Sequence, residues 1–232
     1  MPNDNPRGGD RPSLDLRTTL TRQRILEGAR QVFLLNGFRG ASIDQIAAEA
    51  AVSKGSLHHH FGRKEDLFKS LIAEEAARIA QALPSLDPCE PDPCSALRQM
   101  GGAAIETLNH PTTAATLRLI IGALGIFPRL GEEFLRASLG PTMEQIATYL
   151  ERQAASGTIG IDNGRVAAEE FARQCLTQVI ERLLVPGQAS LTDAECTALA
   201  GDILRNCGVR WRQDPSGQDS AKLLPRGERQ AR

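Results

Sequence analysis

Three consecutive histidines, His58, His59 and His60, are the residues of this chain that most directly suggest chemistry. Imidazole nitrogen is a common zinc ligand and titrates near neutral pH, so the triplet first suggests a metal site. The surrounding pattern is helical, and successive residues of a helix point about 100° apart. Three neighbours therefore cannot converge on one ion, and we expect packing or contact with a binding partner, and no metal, at this triplet.

Two cysteines, Cys89 and Cys94, accompany the proline-rich stretch of residues 83–93. A closed zinc site needs four ligands, and no histidine or further cysteine lies nearby to complete one. A redox role for this pair remains open, because thiols in a loop are expected to be exposed, and the alternative is two incidental loop cysteines. The other three cysteines fall on apolar helical faces and are predicted core residues: Cys175, Cys196 and Cys207.

Motifs of catalysis are missing from the sequence. It contains no nucleophile–base signature, no glycine-rich phosphate loop and no His-Glu-x-x-His pair. An enzyme or a small-molecule carrier built on a helical bundle is the rival interpretation, and we predict that the chain is not an enzyme and needs no cofactor.

Composition and charge point to a helical protein with a basic segment. Hydrophobic residues make up 41% of the chain and aromatic residues only 4%. Few aromatic side chains are available to fill strands, which favours helices. The formal net charge is −1, yet the segment from Arg17 to Lys64 carries eight bases and three acids. Such a local excess suits a module that faces phosphate.

No segment suggests a membrane protein or a signal peptide. The N-terminus, Met1 to Ser13, is polar and lacks an apolar core. The longest strongly apolar run, Leu119 to Phe127, is too short to cross a bilayer. We expect a cytoplasmic protein with no membrane partner.

The periodicity predicts an all-α chain with four regions. Residues 1–16 form a flexible arm, 17–64 a small three-helix domain, 65–212 a larger helical domain, and 213–232 a flexible tail. A linking helix over 64–83 joins the two domains. Further helices are predicted over 95–109, 112–127, 129–156, 165–185 and 192–211, and no strand pattern is visible.

Two short helices in the small domain form a helix-turn-helix pattern. Ser42-Ile-Asp-Gln45 is a capping box that opens the first helix, and the second begins near Ser53 and runs to Phe61. A helix that enters the major groove must be short and exposed, with small polar residues at its start. Ser53-Lys54-Gly55-Ser56 has this composition, while Leu57 and Phe61 would hold the helix on its partner.

The residues of this domain resemble the DNA-binding domain of TetR-family regulators. The resemblance rests on three runs, Gly37-Phe-Arg-Gly-Ala-Ser-Ile-Asp-Gln-Ile-Ala47, Ala51-Val-Ser-Lys-Gly-Ser-Leu-His-His-His-Phe61 and Lys64-Glu-Asp-Leu67. The segment from Phe127 to Glu169 also resembles the C-terminal domain of the AefR-like subgroup of that family. The resemblance implies a homodimer with a ligand-binding domain that follows the DNA-binding one.

The resemblance also implies a role for particular residues in DNA binding. Ser42 would present its backbone amide to a phosphate, and Lys64 would meet the backbone with its ammonium. Residues at the start of the recognition helix would read bases or contact phosphate: Ser53, Lys54, Gly55, Ser56, His58 and His59.

Three residues depart from the family pattern. His58 stands where tyrosine is common, which puts a contact at this position in question. Ala51 replaces the usual turn glycine, so the turn must avoid a positive φ or bear strain. Arg63 replaces a frequent serine, which removes a side-chain cap and adds a possible phosphate contact.

Residues for an effector and for dimerisation are predicted in the larger domain. Candidate effector-binding residues are Arg118, Phe127, Phe171 and Gln178, although ion pairing of Arg118 and core packing of both phenylalanines are competing interpretations. The last two helices carry wide apolar stripes, and in the family this pair builds the dimer interface. The predicted interface residues are Leu176, Val179, Ile180, Leu183, Leu199 and Ile203.

The family resemblance implies a homodimeric repressor that binds double-stranded, pseudo-palindromic operator DNA and is released by a small-molecule effector. An activator of the same fold remains an alternative, because the sign of regulation depends on where the operator lies. Few aromatic residues in the C-terminal half favour an aliphatic or amphipathic effector.

Overall fold

The computed structural model describes residues 14–184, 192, 194–196, 198, 199, 202, 210 and 211. Most of the predicted N-terminal arm and all of the predicted tail, residues 213–232, lie outside these residues, as does Ile203. Residues 14–16 of the predicted arm are helical instead, because the first helix begins at Leu14.

The N-terminal part has three helices. Helix α1 spans Leu14–Gly40, α2 spans Ile43–Glu49 and α3 spans Lys54–Phe61. Within α1 the chain leaves the helical conformation at Gly37, which has φ 66° and ψ 174°, and it then makes one further turn before α2.

Five further helices follow. They are α4 at Lys64–Ala82, α5 at Pro93–Asn109, α6 at Pro111–Ala123, α7 at Leu130–Ala155 and α8 at Gly164–Leu184. Each of them matches a predicted helix within a few residues. Helix α6 is the exception at its end, because it stops at Ala123 rather than at Phe127.

A short strand pair was not predicted. Strand β1, Ile159–Gly160, pairs antiparallel with β2, Arg210–Trp211. The prediction of a helix through Trp211 is therefore wrong at its end. Two residues on each side are too few to show an alternating pattern in the sequence. Apart from this pair, the all-α prediction is confirmed.

Hydrophobic packing runs without a break from the small domain into the large one. Phe33, Phe38 and Phe68 form an aromatic cluster with ring centroids 4.9–6.0 Å apart. Phe127, in the connection from α6 to α7, packs on Phe38 at 4.9 Å and on Phe68 at 5.7 Å. A second cluster lies farther from α1–α3, around Tyr149 between α5, α7 and α8. Through this shared core the small domain packs directly against α4 and the α6–α7 connection.

In the part of the chain that the structure describes, no helix is long and apolar enough to cross a membrane.

Candidate nucleic-acid interface

Helix α2 begins at the predicted capping box. The Gln45 backbone N–H donates to Ser42 Oγ at 3.2 Å, and the Ser42 N–H donates to Gln45 Oε1 at 2.9 Å. These two bonds satisfy amide groups that would otherwise have no partner at the helix start. The predicted start of α2 is confirmed, and Ser42 itself is exposed beside it.

The turn between α2 and α3 carries backbone strain. Ala51 has φ 50°, the left-handed region that an alanine rarely occupies. The guanidinium of Arg24 on α1 stabilises this turn, because Nη2 donates to the carbonyls of Ala50 at 3.0 Å and Ala51 at 2.9 Å. Close packing of α1 here requires Gly28, since a Cβ at that position would lie 2.8 Å from the Ala50 nitrogen.

Helix α3 has one buried face and one exposed face. Its N-cap is Ser53, whose Oγ accepts the Ser56 N–H at 3.1 Å. Leu57 and Phe61 are buried against the rest of the domain, as predicted. The exposed side presents Ser53, Lys54, Gly55, His58 and His59, while Ser56 is half-buried. The predicted base-reading residues are thus brought together on one open surface, which is the geometry that groove entry needs.

All three histidines of the triplet make contacts within the protein. His58 Nδ1 lies 2.7 Å from the Gly62 carbonyl oxygen, at the C-terminal end of α3. Because a carbonyl oxygen only accepts, Nδ1 is the donor in this hydrogen bond, and the other ring nitrogen, Nε2, is not used by it. The rings of His59 and His60 pack edge to face with centroids 5.6 Å apart. Across the described residues, no group of three metal-ligating side chains could hold an ion.

Lys54 is paired with an acid that sequence reasoning did not select. Its Nζ lies 2.7 Å from Asp44 Oδ1 in the first turn of α2, and both side chains are largely exposed. Asp44 belongs to the motif that carries the family resemblance, but in the sequence nothing links it to a lysine ten residues away. The contact forms because the turn at Ala51 folds the start of α3 back towards the start of α2.

Lys64 lies closer to the protein than predicted. Its ammonium donates to the carbonyls of Phe38 at 2.9 Å and Ala41 at 2.8 Å, and lies 4.6 Å from the centre of the Phe38 ring. Two of its three donors therefore join the start of α4 to the end of α1. The predicted phosphate contact rests on the third donor, and Lys64 is half-buried.

A buried ionic cluster joins the two domains and was missed by the sequence analysis. Glu75 on α4 is fully buried and accepts from Arg30 Nη1 on α1 at 3.0 Å and from Arg78 Nη2 at 2.6 Å. Arg78 Nη2 also donates to Thr113 Oγ1 on α6 at 2.7 Å. A signal was present, because Glu75 occupies a position in the apolar stripe of α4 between Ile72 and Ile79.

The electrostatics of Glu75 follow from its two arginines. Burial on its own would raise the pKa of this carboxyl group, but hydrogen bonds and charges from Arg78 and Arg30 outweigh burial and lower the pKa from its ordinary value of 4.5. In return, the hydrogen bond to Glu75 raises the pKa of Arg78. The cluster is therefore ionised at neutral pH and ties α1, α4 and α6 together.

The four predicted effector-binding residues are not brought together. Only Phe171 lines the interior cavity between α5, α7 and α8. Phe127 packs in the aromatic cluster instead, because the chain leaves α6 early and turns the ring towards α4. Arg118 is exposed, and its Nε donates to the Leu183 carbonyl at 3.4 Å. Gln178 is half-buried on α8 and is not among the residues that line the cavity.

The interior cavity is apolar and small, at ≈ 20 Å³. A cavity of this size has room for about one water molecule, whereas sites for drug-sized ligands occupy about 300–1,000 Å³. Its two polar side chains are Thr142 and Cys175, and the apolar lining includes two adaptable methionines. The lining residues are Met100, Ala104, Leu108, Leu139, Thr142, Met143, Ile146, Phe171, Ala172, Cys175 and Leu176.

Two of the predicted dimer residues are used inside the chain. Val179 is 0% exposed and Leu183 is 8% exposed, because the apolar stripe of α8 packs on the chain's own core. The expectation that they contact a second subunit is corrected accordingly. Leu176 and Leu199 are half-buried, and each packs against one of the two hydrophobic clusters. Ile180 alone among the predicted residues in α8 is exposed, at 46%.

Cys89 lies in the loop before α5, as predicted, whereas Cys94 lies in the first turn of that helix. Cys89 is exposed and Cys94 is half-buried, and both are free thiols. Arg98 Nη2 lies 3.6 Å from the Cys94 sulfur. The loop between the two cysteines is fixed to α7, because the Tyr149 hydroxyl and the Gln153 amide both donate to the Glu90 carbonyl, at 2.9 and 3.0 Å. Cys175 and Cys196 are buried, as predicted.

Two family models match the chain in consecutive segments. Residues 25–71 match the bacterial regulatory proteins of the tetR family, and residues 95–206 match the C-terminal domain of AefR-like transcriptional repressors. The first segment contains the helix-turn-helix, and the second contains α6, α7, α8 and all but the first two residues of α5.

An individual repressor is also similar to part of this chain. A stretch of 75 residues is 43% identical to the HTH-type transcriptional repressor AcnR of Corynebacterium glutamicum, and it covers 32% of this chain and 37% of that repressor. The match thus spans little more than a third of the relative's length.

Solved structures match over most of the chain. The flavonoid-responsive regulator FrrA is 28% identical with a TM-score of 0.69, over 83% of this chain and 98% of its own. A protein solved as a TetR-family regulator from Mesorhizobium loti is 21% identical with a TM-score of 0.71, over 82% of this chain and 96% of its own. The second likeness concerns the fold alone.

Proposed function

Because the chain belongs to the TetR family of bacterial transcriptional regulators, with an AefR-like C-terminal domain, we propose that it is a repressor that binds a pseudo-palindromic operator as a homodimer and leaves it when a small molecule binds. Its relatives are regulators, and it is a DNA-binding regulator rather than an enzyme. The operator, the dimer and the effector are the parts that we propose.

The open face of α3 is the observation that carries the proposal. A short helix with a serine N-cap, an exposed lysine and no bulky side chain in its first turn can lie deep in a major groove. Lys54, Ser53 and Ser56 would contact base edges at the start of this helix. His58 and His59 would contact bases or phosphates farther along, and Gly55 lets the backbone come close. Ser42 and the third Lys64 donor would contact phosphate and fix the register.

A dimer would place two such helices about one DNA turn, or roughly 34–36 Å, apart. We assign its interface to the exposed face of α8. Val166, Arg173 and Ile180 recur at seven-residue intervals on α8, so they lie on one side of the helix. Val166 is 62% exposed and Ile180 is 46% exposed, which suits a surface that is covered by a partner subunit.

The interior cavity supports the proposed effector site. Its apolar lining suits an aliphatic or otherwise hydrophobic molecule, with Thr142 and Cys175 as polar contacts. Because only about one water fits, an effector must separate α5 from α7 and α8 in order to enter. Met100 and Met143 have flexible side chains that can move aside for it.

We infer that the buried ionic cluster passes a displacement on to the DNA-binding helices, because Leu139 of α7 lines the cavity and belongs to the same hydrophobic cluster as the buried residues of α4. Glu75 and its arginines connect α6 and α4 to α1, so a displacement of α4 or α6 changes how α1 holds the helix-turn-helix. An effector needs only a few kcal/mol of preference for the changed arrangement to empty the operator.

The test is a titration of the purified full chain against DNA from upstream of its own gene. Binding is measured by fluorescence anisotropy at about 50 and 200 mM salt, with nonspecific competitor present. We expect binding that survives the competitor and weakens steeply with salt. When the upstream DNA fails, duplexes are selected from a random pool with the same protein. The proposal is wrong if no selected duplex binds more tightly than the competitor.

An activator of the same fold is the second candidate, because the position of the operator decides the sign of regulation. In vitro transcription from a promoter that carries the selected operator separates the two. Fewer transcripts on addition of the protein support repression, and more transcripts support activation.

A further inference from the structure

We propose that Asp44 determines specificity, by holding the Lys54 ammonium for base reading and by preventing it from acting as a general phosphate contact. This inference rests on the proposed function of α3 as the recognition helix. Asp44 is not one of the residues predicted to bind DNA, and as an acid it would itself repel phosphate.

The geometry places the acid and the base in direct contact on the open surface. Lys54 Nζ lies 2.7 Å from Asp44 Oδ1, and the two side chains are 61% and 66% exposed. Lys54 is the first residue of α3, next to the Ser53 cap, and Asp44 lies in the first turn of α2. An ammonium has three donors, so one bond to Asp44 leaves two for the acceptors of a guanine edge.

Stability does not account for this pair. An exposed ion pair contributes about 0–1 kcal/mol, and the packing of Ile46 and Leu57 already fixes α2 and α3 in the domain. A lysine at a helix start is unfavourable because the N-terminus of the helix dipole is positive. An aspartate beside it offsets that repulsion. The ion pair therefore acts locally. It fixes the position of the Lys54 ammonium and neutralises part of its charge.

Compensation of the charge changes what Lys54 does on DNA. A free lysine near DNA attracts any phosphate and releases a counterion, with a contribution of about 0.9 to the salt slope for each phosphate neutralised. A lysine paired with a carboxylate makes little net contribution to such sequence-independent binding. A guanine edge offers two acceptors at a fixed place, which an oriented ammonium can meet without leaving Asp44. The pair therefore favours base reading over phosphate binding.

The test compares four variants of the full chain with the wild type: Asp44→Asn, Glu49→Gln, Lys54→Ala and the double variant Asp44→Asn/Lys54→Ala. Glu49 is an exposed acid at the other end of α2, so Glu49→Gln is a control for loss of one negative charge. The probes are a duplex that the wild type selects from random DNA and a scrambled duplex of the same length. Thermal unfolding of each variant checks that the fold is kept.

We expect Asp44→Asn to bind the scrambled duplex more tightly, with a salt slope steeper by about one for each subunit. The ratio of affinities for the selected and scrambled duplexes should fall by about fivefold or more, because the lysine is no longer held at its base. In the Lys54→Ala background, the same Asp44 substitution should leave this ratio within about twofold.

Either of two results would overturn the inference. One is an unchanged ratio in Asp44→Asn, or a fall no larger than that in Glu49→Gln. The other is an equal fall from Asp44→Asn with and without Lys54, since Asp44 would then act independently of the lysine. Failure of the proposed function itself is distinguishable, because the wild type would then not discriminate between the two duplexes.

Discussion

Ala51 shows how a single residue adapts a common turn. The turn between α2 and α3 needs a left-handed residue, and this chain supplies an alanine with φ 50°. Such a conformation costs an L-residue with a side chain about 1–2 kcal/mol. The two hydrogen bonds from Arg24 to the carbonyls of Ala50 and Ala51 hold the turn in place despite that cost.

We predict that Ala51→Gly raises the free energy of unfolding by about 0.5–1 kcal/mol. Glycine removes the strain at positive φ, and part of this gain is lost because glycine is more flexible in the unfolded chain. Urea unfolding followed by circular dichroism measures the change. Ala48→Gly is the control, since this exposed residue of α2 is helical and the same substitution there should destabilise by about 1 kcal/mol. Destabilisation by Ala51→Gly would contradict the argument.

At this same scale, sequence reasoning found side chains that act locally and missed those with distant partners. The Ser42 capping box and the start of α3 near Ser53 were identifiable because a cap and its target lie within three residues. The partners of Lys64 and Lys54, at Phe38, Ala41 and Asp44, depend on how the helices pack. No local pattern encodes those distances.

Glu75 acts on the packing of helices. Its carboxylate binds Arg30 of α1, and Arg78 beside it on α4 binds Thr113 of α6. Since its folded pKa lies below 4.5, the ionised group stabilises the fold above that pH. This stabilisation is lost as the pH falls through the folded pKa.

We predict that Glu75→Gln lowers the free energy of unfolding by about 2 kcal/mol at pH 7. Removing one partner of a buried ion pair costs about 3–5 kcal/mol, and the figure is smaller here because the Arg78 side chain is 45% exposed and can be hydrated. The gap between variant and wild type should narrow as the pH falls from 4.5, the ordinary pKa of a glutamate, through the lower pKa of folded Glu75. Urea unfolding at several pH values measures this difference in the free energy of unfolding.

The matched control is Glu74→Gln, since Glu74 is the exposed neighbour of Glu75 on the same helix. Its stability should stay within about 0.5 kcal/mol of the wild type. A constant gap between Glu75→Gln and the wild type from pH 7 to pH 3.5 would contradict a role for the ionised group.

Periodicity located α4, α5, α7 and α8 within a few residues, because each carries a stripe that repeats over several turns. Periodicity could not predict the pairing of Ile159–Gly160 with Arg210–Trp211, because these residues are about 50 positions apart in the sequence. It also could not predict which side of α8 faces the core. Val179 and Leu183 pack on the chain's own core, while Ile180 between them points outward.

For the molecule as a whole, this division of α8 decides how a dimer can form. A stripe that is already buried cannot serve a partner, so the interface has to use the residues that remain exposed. Arg165 and Glu169 form one ion pair and Arg173 and Glu170 another, and Glu169, Glu170 and Arg173 lie on the same side of the helix as Val166 and Ile180, so this face combines exposed apolar residues with paired charges. In a two-fold dimer the same patch of each subunit forms the interface, so a substitution there changes the interface at two places.

We predict that Ile180→Glu dissociates the dimer at concentrations at which the wild type is dimeric, with Kd raised about 100-fold or more. Two carboxylates would be buried near the symmetry axis without partners, and each costs several kcal/mol to bring out of water. Sedimentation velocity over a concentration series measures the change in Kd.

Ile121→Glu is the matched control, because Ile121 on α6 is 47% exposed against 46% for Ile180. If α8 forms the interface, only the Ile180 variant becomes monomeric, and it should also lose operator affinity because one half-site offers too few contacts. A dimer that survives Ile180→Glu would move the interface to another face of the molecule.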